Sequence, residues 1–244
     1  SFGWLNHLER VPSVVDIVGG NDPVQADEAK QPLFDATADN GRGGIYGTSP
    51  AVDRFLVALN DLSLGADYSF VLVFTRRVEP QNFSGWFSIR KGLPTANSQW
   101  EMYDATAGVL GDIVRTYKGR DGAPAVQNDL YADRAGIAVG APAVLIQTQS
   151  SAGVSGLRQY AYDRLVYDSA GGASAMNDGP PVLGQGYRSN SKLNGWVHSW
   201  YIFDRTLSGV EITTILDELK TRTPNYFRDA LPVAWSHFEF REQS

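Results

Sequence analysis

Residues 193–220 constrain the fold more than any other stretch. Ser208 is followed three residues later by Glu211, the pattern of a capping box. In it the serine oxygen accepts from the glutamate amide and the carboxylate reaches back to the serine amide. Ile212, Ile215, Leu216 and Leu219 then fall at i, i+3, i+4 and i+7, one apolar stripe along a helix. Before the cap, Trp196-Val197-His198-Ser199-Trp200-Tyr201-Ile202-Phe203 is aromatic and β-branched, as strands are. A long strand is therefore expected to turn through Asp204-Arg205-Thr206-Leu207 into one short amphipathic helix. No other stretch reads as strongly helical, and a lone helix amid many strands predicts a mostly-β fold.

The strands are spread along the whole chain. Tyr68 to Phe74 is the most continuous apolar run, which predicts a strand buried on both faces. Further strands are read at Val14–Val18, Phe55–Leu59, Gly85–Ile89, Gln99–Tyr103, Val109–Tyr117 (with Gly111 as a bulge), Ala143–Thr148 and Leu157–Tyr162. Leu165–Tyr167 continues that last hairpin. Turns fall at Gly19–Pro23, Gly119–Gly122 and Ser150–Gly153. The total is about ten to thirteen short strands at the spacing of a sandwich. The 244 residues fit one large β domain over 14–223, with an N-terminal arm at 1–13 and a C-terminal extension at 224–244. Both ends are aromatic. Phe2, Trp4, Leu5 and Leu8 lie in the arm, and Trp235, His237 and Glu239 alternate with Ser236, Phe238 and Phe240 in the tail.

Charge and composition narrow the function classes. The net charge of −6 argues against electrostatic capture of nucleic acid or of an anionic membrane. With no cysteine, disulfides, thiolate catalysis and cysteine-bound zinc all drop out. No apolar run reaches the roughly 18 residues of a membrane span. No signal peptide is read at Ser1, so the chain is expected to begin after processing or removal of a methionine.

Several segments together carry a family resemblance. They are Tyr162-Asp163-Arg164-Leu165-Val166-Tyr167, Gly184, Leu193-Asn194-Gly195-Trp196-Val197, and the run from Phe203-Asp204-Arg205-Thr206-Leu207 through Ser208-Gly209-Val210-Glu211-Ile212. In that order they resemble the C-terminal half of a laminin-G-like, concanavalin A-like jelly roll. Upstream, Asp16 with Gly19-Gly20-Asn21, then Gln31-Pro32, then Asp53-Arg54-Phe55-Leu56 are similar to a version common in phage and phage-like virion proteins. The resemblance spans residues 14–222. One departure is plain: Tyr162-Asp163-Arg164 stands where the family has an Asn-Gly turn, so that hairpin is expected to turn differently. The resemblance implies an all-β fold, a two-sheet antiparallel jelly-roll sandwich with one short C-terminal helix. Members mostly bind carbohydrate or protein through edge loops, some with calcium, and a minority are glycosidases or polysaccharide lyases. The fold alone does not choose among these.

Catalytic constellations are hard to assemble. A retaining glycosidase needs two carboxyl groups about 5–5.5 Å apart. The nearest pair, Glu101 and Asp104, is spaced i, i+3, which puts the two on opposite faces of a strand. There is no Gly-x-Ser-x-Gly elbow for a nucleophile, and no two of His7, His198 and His237 have ligand spacing. His198 lies between Trp196 and Trp200, all three expected on one face as packing. Gly41-Arg42-Gly43-Gly44 lacks the lysine and the strand-to-helix context of a phosphate loop. Calcium takes loop oxygens, and candidates are Asp121, Asn128 and Asp129 in one loop. Asp16, Asn21 and Asp22 form a second group, and Asn177 with Asp178 a third; all are also ordinary turn residues. Sugar binding needs flat aromatic faces beside polar groups. Trp86, Trp100 and Tyr103 on neighbouring strands are the candidates, with Tyr187, Arg188 and Asn190 in a polar loop.

The expectation that follows is a non-enzymatic structural or adhesion protein on a virion or extracellular surface. Its expected partners are other virion or surface proteins and glycans, and a homo-oligomer fits the aromatic ends. The alternatives are a glycan-active hydrolase or lyase of the same fold, and a soluble lectin-like module.

Overall fold

A computed structural model describes residues 9–14, 21–38, 43–48, 54–62, 64–76, 84–90, 99–106, 112–120, 123–131, 137, 140–151, 156–169, 179–184 and 193–222; for 99–131 it describes the backbone alone. Fifteen strands lie among these residues. The first seven are β1 (Glu9–Arg10), β2 (Pro23–Val24), β3 (Leu33–Asp35), β4 (Gly44–Thr48), β5 (Leu56–Ala58), β6 (Tyr68–Arg76) and β7 (Ser84–Arg90). There follow β8 (Gln99–Thr106), β9 (Asp112–Arg120), β10 (Ala123–Tyr131), β11 (Pro142–Gln149), β12 (Leu157–Ala161), β13 (Arg164–Ser169), β14 (Pro181–Leu183) and β15 (Asn194–Phe203). The other elements named among the described residues are a single turn of 3-10 helix at Glu28–Lys30 and the helix α1 (Gly209–Arg222).

The strands form two sheets. One runs β1-β3-β4-β15-β6-β11-β12-β13 and the other β10-β9-β8-β7-β14-β5-β2. Every pairing is antiparallel. This is the two-sheet jelly-roll sandwich expected from the sequence, with its one short C-terminal helix.

β6 shows why its sequence is continuously apolar. All nine positions are buried. Phe70 meets Phe87 at 5.5 Å between ring centroids, and Phe74 meets Trp86 at 4.9 Å, so even-numbered residues face the opposite sheet. Odd-numbered residues face outward, and there the chain end of β15 returns. The Ser69 hydroxyl accepts from the Leu207 amide at 2.9 Å and donates to the Arg205 carbonyl at 3.0 Å. α1 starts at that point. The capping box is formed: the Ser208 amide donates to Glu211 Oε2 at 2.8 Å, and the Glu211 amide to Ser208 Oγ at 3.3 Å. These bonds, with Arg205 beside it, hold the Glu211 carboxyl below its usual range. Leu207, Ile212, Leu216 and Leu219 join the buried core and Ile215 packs against it. A sheet strand covered on both faces leaves no place for alternation, which is the physical origin of the run.

Strand pairing is also found upstream of residue 14. Glu9 and Arg10 pair with Phe34 and Leu33, and Ser13 bridges Val24. The strand read at Val14–Val18 falls mostly outside the described residues, as does Gly111. The hairpin at Tyr162 keeps the usual two-residue loop, contrary to expectation: Ala161 pairs with Arg164. Tyr162 itself takes the left-handed backbone, φ 56°, the one non-glycine residue to do so among those described. Such a conformation costs a bulky residue of order 1–3 kcal/mol. Offsetting it, the Tyr162 ring is buried, its hydroxyl donates to the Pro142 carbonyl at 3.0 Å, and its amide to the Val144 carbonyl at 2.9 Å.

Candidate functional site

The eight-stranded sheet opens where β4 and β15 part. Their pairing runs from Asn194 opposite Thr48 to Val197 opposite Ile45 and then stops. On its other side β15 continues along β6, with a bulge: Val197 pairs with Phe74, Ser199 with Val73, and His198 is the extra residue. This overturns the expectation that Trp196, His198 and Trp200 share one face. Trp196 faces outward, stacked on Tyr46 at 4.7 Å with its indole N–H donated to Asp35 at 2.8 Å. His198 also faces outward, with Nε2 2.8 Å from the Thr75 hydroxyl. The bulge then shifts the alternation, and Trp200 points inward against Phe87 at 5.1 Å.

At the point of divergence lies a cleft of about 440 Å³. Phe34, Ile45, Val197 and Trp200 give it apolar walls, and Arg10, Ser13, His198 and Ser199 bring polar groups. Two glycines shape the β4 side. A Cβ on Gly43 would run into the Phe34 ring, and one on Gly44 would lie 2.8 Å from His198 Nδ1. Gly43 also takes φ +88°. The Gly43-Gly44 pair therefore exists for close approach of Phe34 and His198, not for phosphate. Phe34 is 39% exposed, packed by the Gly43 backbone and otherwise partly open to solvent.

The cleft carries little charge. The Arg10 guanidinium is paired to the Glu28 carboxylate at 3.5 Å and bonds the Glu28 carbonyl. Burial pushes His198 down to about 4, against the opposing pull of the Gly43 carbonyl and Asp35. Burial also acts on Asp35 to raise it, but hydrogen bonds from Thr37 and Trp196 win and hold its carboxyl below the usual range. His198 is thus a neutral ring at ordinary pH, with Thr75 at one nitrogen and Gly43 at the other. Its folded pKa lies below the unfolded value of 6.5, so protonation favours the unfolded chain. The stability it contributes is complete above pH 6.5 and is lost as pH falls toward 4. At 1.36 kcal/mol per unit the loss amounts to about 3 kcal/mol. Denaturant titrations from pH 7 to pH 4 should show that decline, and His198→Gln should flatten it. The carboxylates held low add to the decline only at its acid end, Glu211 as pH falls through about 4.5 and Asp35 and Asp67 through about 3.8, and that part survives His198→Gln.

None of the described residues expected from sequence to bind sugar or metal lines this cleft. Trp86 is fully buried against Phe74 and Gly195, so its faces are closed to a sugar. Trp100 and Tyr103 lie in β8, opposite Ile89 and Gly85 of β7. Glu101 and Asp104 lie in the same strand, opposite Ser88 and Ser84. Asn128 and Asp129 are not in a loop. They occupy successive positions of β10, opposite Thr116 and Arg115, and so leave the calcium loop expected for them. Asn21 is committed to another loop: its side chain accepts from the Asn60 amide at 2.7 Å and donates to the Asn60 carbonyl at 3.1 Å. Asp16, Asp121, Asn177, Asp178, Tyr187, Arg188 and Asn190 lie outside the described residues. Among those described, no three His, Cys, Asp or Glu side chains gather as a metal site.

No family model matches the sequence, and no curated protein matches it. Solved structures do match the fold. The binding domain of botulinum neurotoxin serotype G superposes with TM-score 0.57 at 12% identity, over 87% of this chain and 52% of that one. A native heptameric SAP-like pentraxin from Limulus polyphemus gives TM-score 0.52 at 14% identity, over 71% and 80%. Domain 4 of an extracellular arabinanase from Geobacillus stearothermophilus, solved with arabinotriose, gives TM-score 0.51 at 12% identity, over 76% and 81%. At such identities the likeness is one of fold: a concanavalin A-like jelly roll.

Proposed function

We propose that this chain is a non-enzymatic module of a virion or cell surface, structural or adhesive in role, that binds carbohydrate. The observation that carries the sugar-binding part is the cleft beside β15. The partly open Phe34 ring and the half-buried Trp200 stand next to the hydroxyls of Ser13 and Ser199, around a neutral His198 and a charge-paired Arg10. An aromatic face with hydroxyl-sized polar groups and little net charge is what an uncharged sugar ring needs. The fold shared with an arabinanase domain solved with arabinotriose is consistent with it. The surface role rests on the order of motifs similar to phage and phage-like virion proteins and on the aromatic ends, Phe2 to Leu8 and Trp235 to Phe240.

A glycan array run at millimolar calcium, with and without chelator, tests the reading. Binding in either condition is expected, and the chelator arm reads whether calcium takes part. Phe34→Ala should weaken a captured neutral glycan about ten-fold, the size of one aromatic contact. Silence in both conditions would leave a scaffold role without sugar. Turnover of any polysaccharide by the purified chain would overturn the non-enzymatic part.

A further inference from the structure

β15 carries an open edge. Beyond Val197 it has β6 on one side and, among the described residues, no strand on the other. In an antiparallel strand alternate residues turn both N–H and C=O to the same side. Part of the backbone of Ser199–Phe203 therefore points away from β6. Val11 and Val14, which line the cleft with Ser199 and Trp200, give their amides to the Pro32 and Pro23 carbonyls instead. Trp200, Tyr201, Ile202 and Phe203 stay half-buried along the same run. A row of backbone groups with no strand partner among the described residues, beside half-covered apolar side chains, is a template for one more strand.

We propose that this edge is completed by an extended segment from a second copy of the chain, supplied by the stretch Trp235 to Phe240. Only backbone can satisfy a strand edge, so the occupant is a peptide segment of about five residues. Its side chains should be apolar at alternate positions, to meet the half-buried row. Trp235-Ser236-His237-Phe238-Glu239-Phe240 has that alternation over part of its length, contains no proline, and lies outside the sandwich in sequence. Residues 223–244 follow the helix, and that length of extended chain reaches about 70 Å, ample to cross to a neighbour. Reciprocal exchange closes the pair as a two-fold dimer and leaves no further edge of this kind open. The inference is independent of any sugar in the cleft.

Sedimentation velocity on the full chain, over a wide concentration range, reads the association. A dimer is expected. Trp235→Ser with Phe238→Ser should weaken it roughly ten-fold or more, as should Tyr201→Lys, which sets a charge on the edge. Both variants should keep the wild-type circular dichroism and a cooperative melt, since neither changes a fully buried residue of the described core. Combined, they should cost no more than the larger single effect, because one interface is involved. A synthetic peptide of residues 234–241 added in excess should dissociate the wild-type dimer and bind the Tyr201→Lys variant more weakly. A wild-type chain that stays monomeric throughout overturns the proposal, and so does a dimer untouched by either set of substitutions.

Discussion

Replacing Gly195 by alanine is expected to remove about 4 kcal/mol or more of folding stability, a large share of the roughly 5–15 kcal/mol that holds an ordinary domain folded. Two independent costs meet at this position. Its φ is +134°, a backbone conformation that side chains resist. An added Cβ would also collide with the Thr75 carbonyl oxygen and lie 2.8 Å from Trp86 Cη2. Neither neighbour can give way. Thr75 belongs to β6, pairing with Trp196 on one side and Pro142 on the other, and Trp86 is fully buried. The control is Gly209→Ala, where an added Cβ meets nothing within 4 Å. That change, at the first residue of α1, should stay within about 0.5 kcal/mol of wild type. Urea unfolding of both variants reads the difference. A Gly195→Ala protein as stable as Gly209→Ala would mean that β15 does not run flat against Trp86.

The same strand shows how far the sequence speaks for the fold. The capping box at Ser208 and the stripe at Ile212, Leu216 and Leu219 are local signals, and local signals survive into the structure. The continuous run at Tyr68 was legible because β6 is covered by the opposite sheet on one face and meets the β15–α1 connection on the other. β10 was not legible. Asn128 and Asp129 read as loop residues, yet they lie in a strand, which also holds Pro124. Its place at the end of its sheet, with a register shift between Ala123 and Val126, is what admits the proline. At Tyr162 the departure from an Asn-Gly turn suggested a different loop. Tertiary burial instead forces a tyrosine into the conformation that asparagine or glycine would adopt freely.

The candidate site was less legible, for a physical reason. A period of two puts Trp196, His198 and Trp200 on one face, and no feature of the sequence announces the bulge that separates them. Once β15 bulges, Trp200 turns inward, β4 ends, and a cleft opens between side chains far apart in the chain, from Arg10 and Phe34 to Ser199. The one available signal was Gly43-Gly44. Adjacent glycines opening a strand mark a close approach, and here Phe34 and His198 are what approach. Aromatic residues chosen for their strands alone pointed elsewhere. Trp86 was among them because tryptophan suits a sugar face, but the register shift between Gly85 and Phe87 marks Trp86 as the bulged residue of β7, and it lies in the core.

That burial sets the second large effect. Trp86→Ala should cost about 3–5 kcal/mol, the range for emptying a large aromatic site in a packed core. The cavity would lie between Phe74 and the flat backbone of Gly195, and neither can collapse far into it, because both are fixed by pairing with β6 or β15. Trp86→Phe should cost much less than its lost volume suggests. The indole N–H is buried with no hydrogen-bond partner among the described residues, and an unmade bond of this kind costs about 1–3 kcal/mol. Phenylalanine removes that polar group while keeping a ring against Phe74. The two variants, compared by denaturant unfolding, should therefore differ by more than the size of the side chains alone would give. If Trp86→Phe falls as far as Trp86→Ala, the orphaned N–H is not a cost in the native protein. If either change abolishes glycan capture in a chain that still folds, the sugar site includes Trp86 rather than the cleft beside β15.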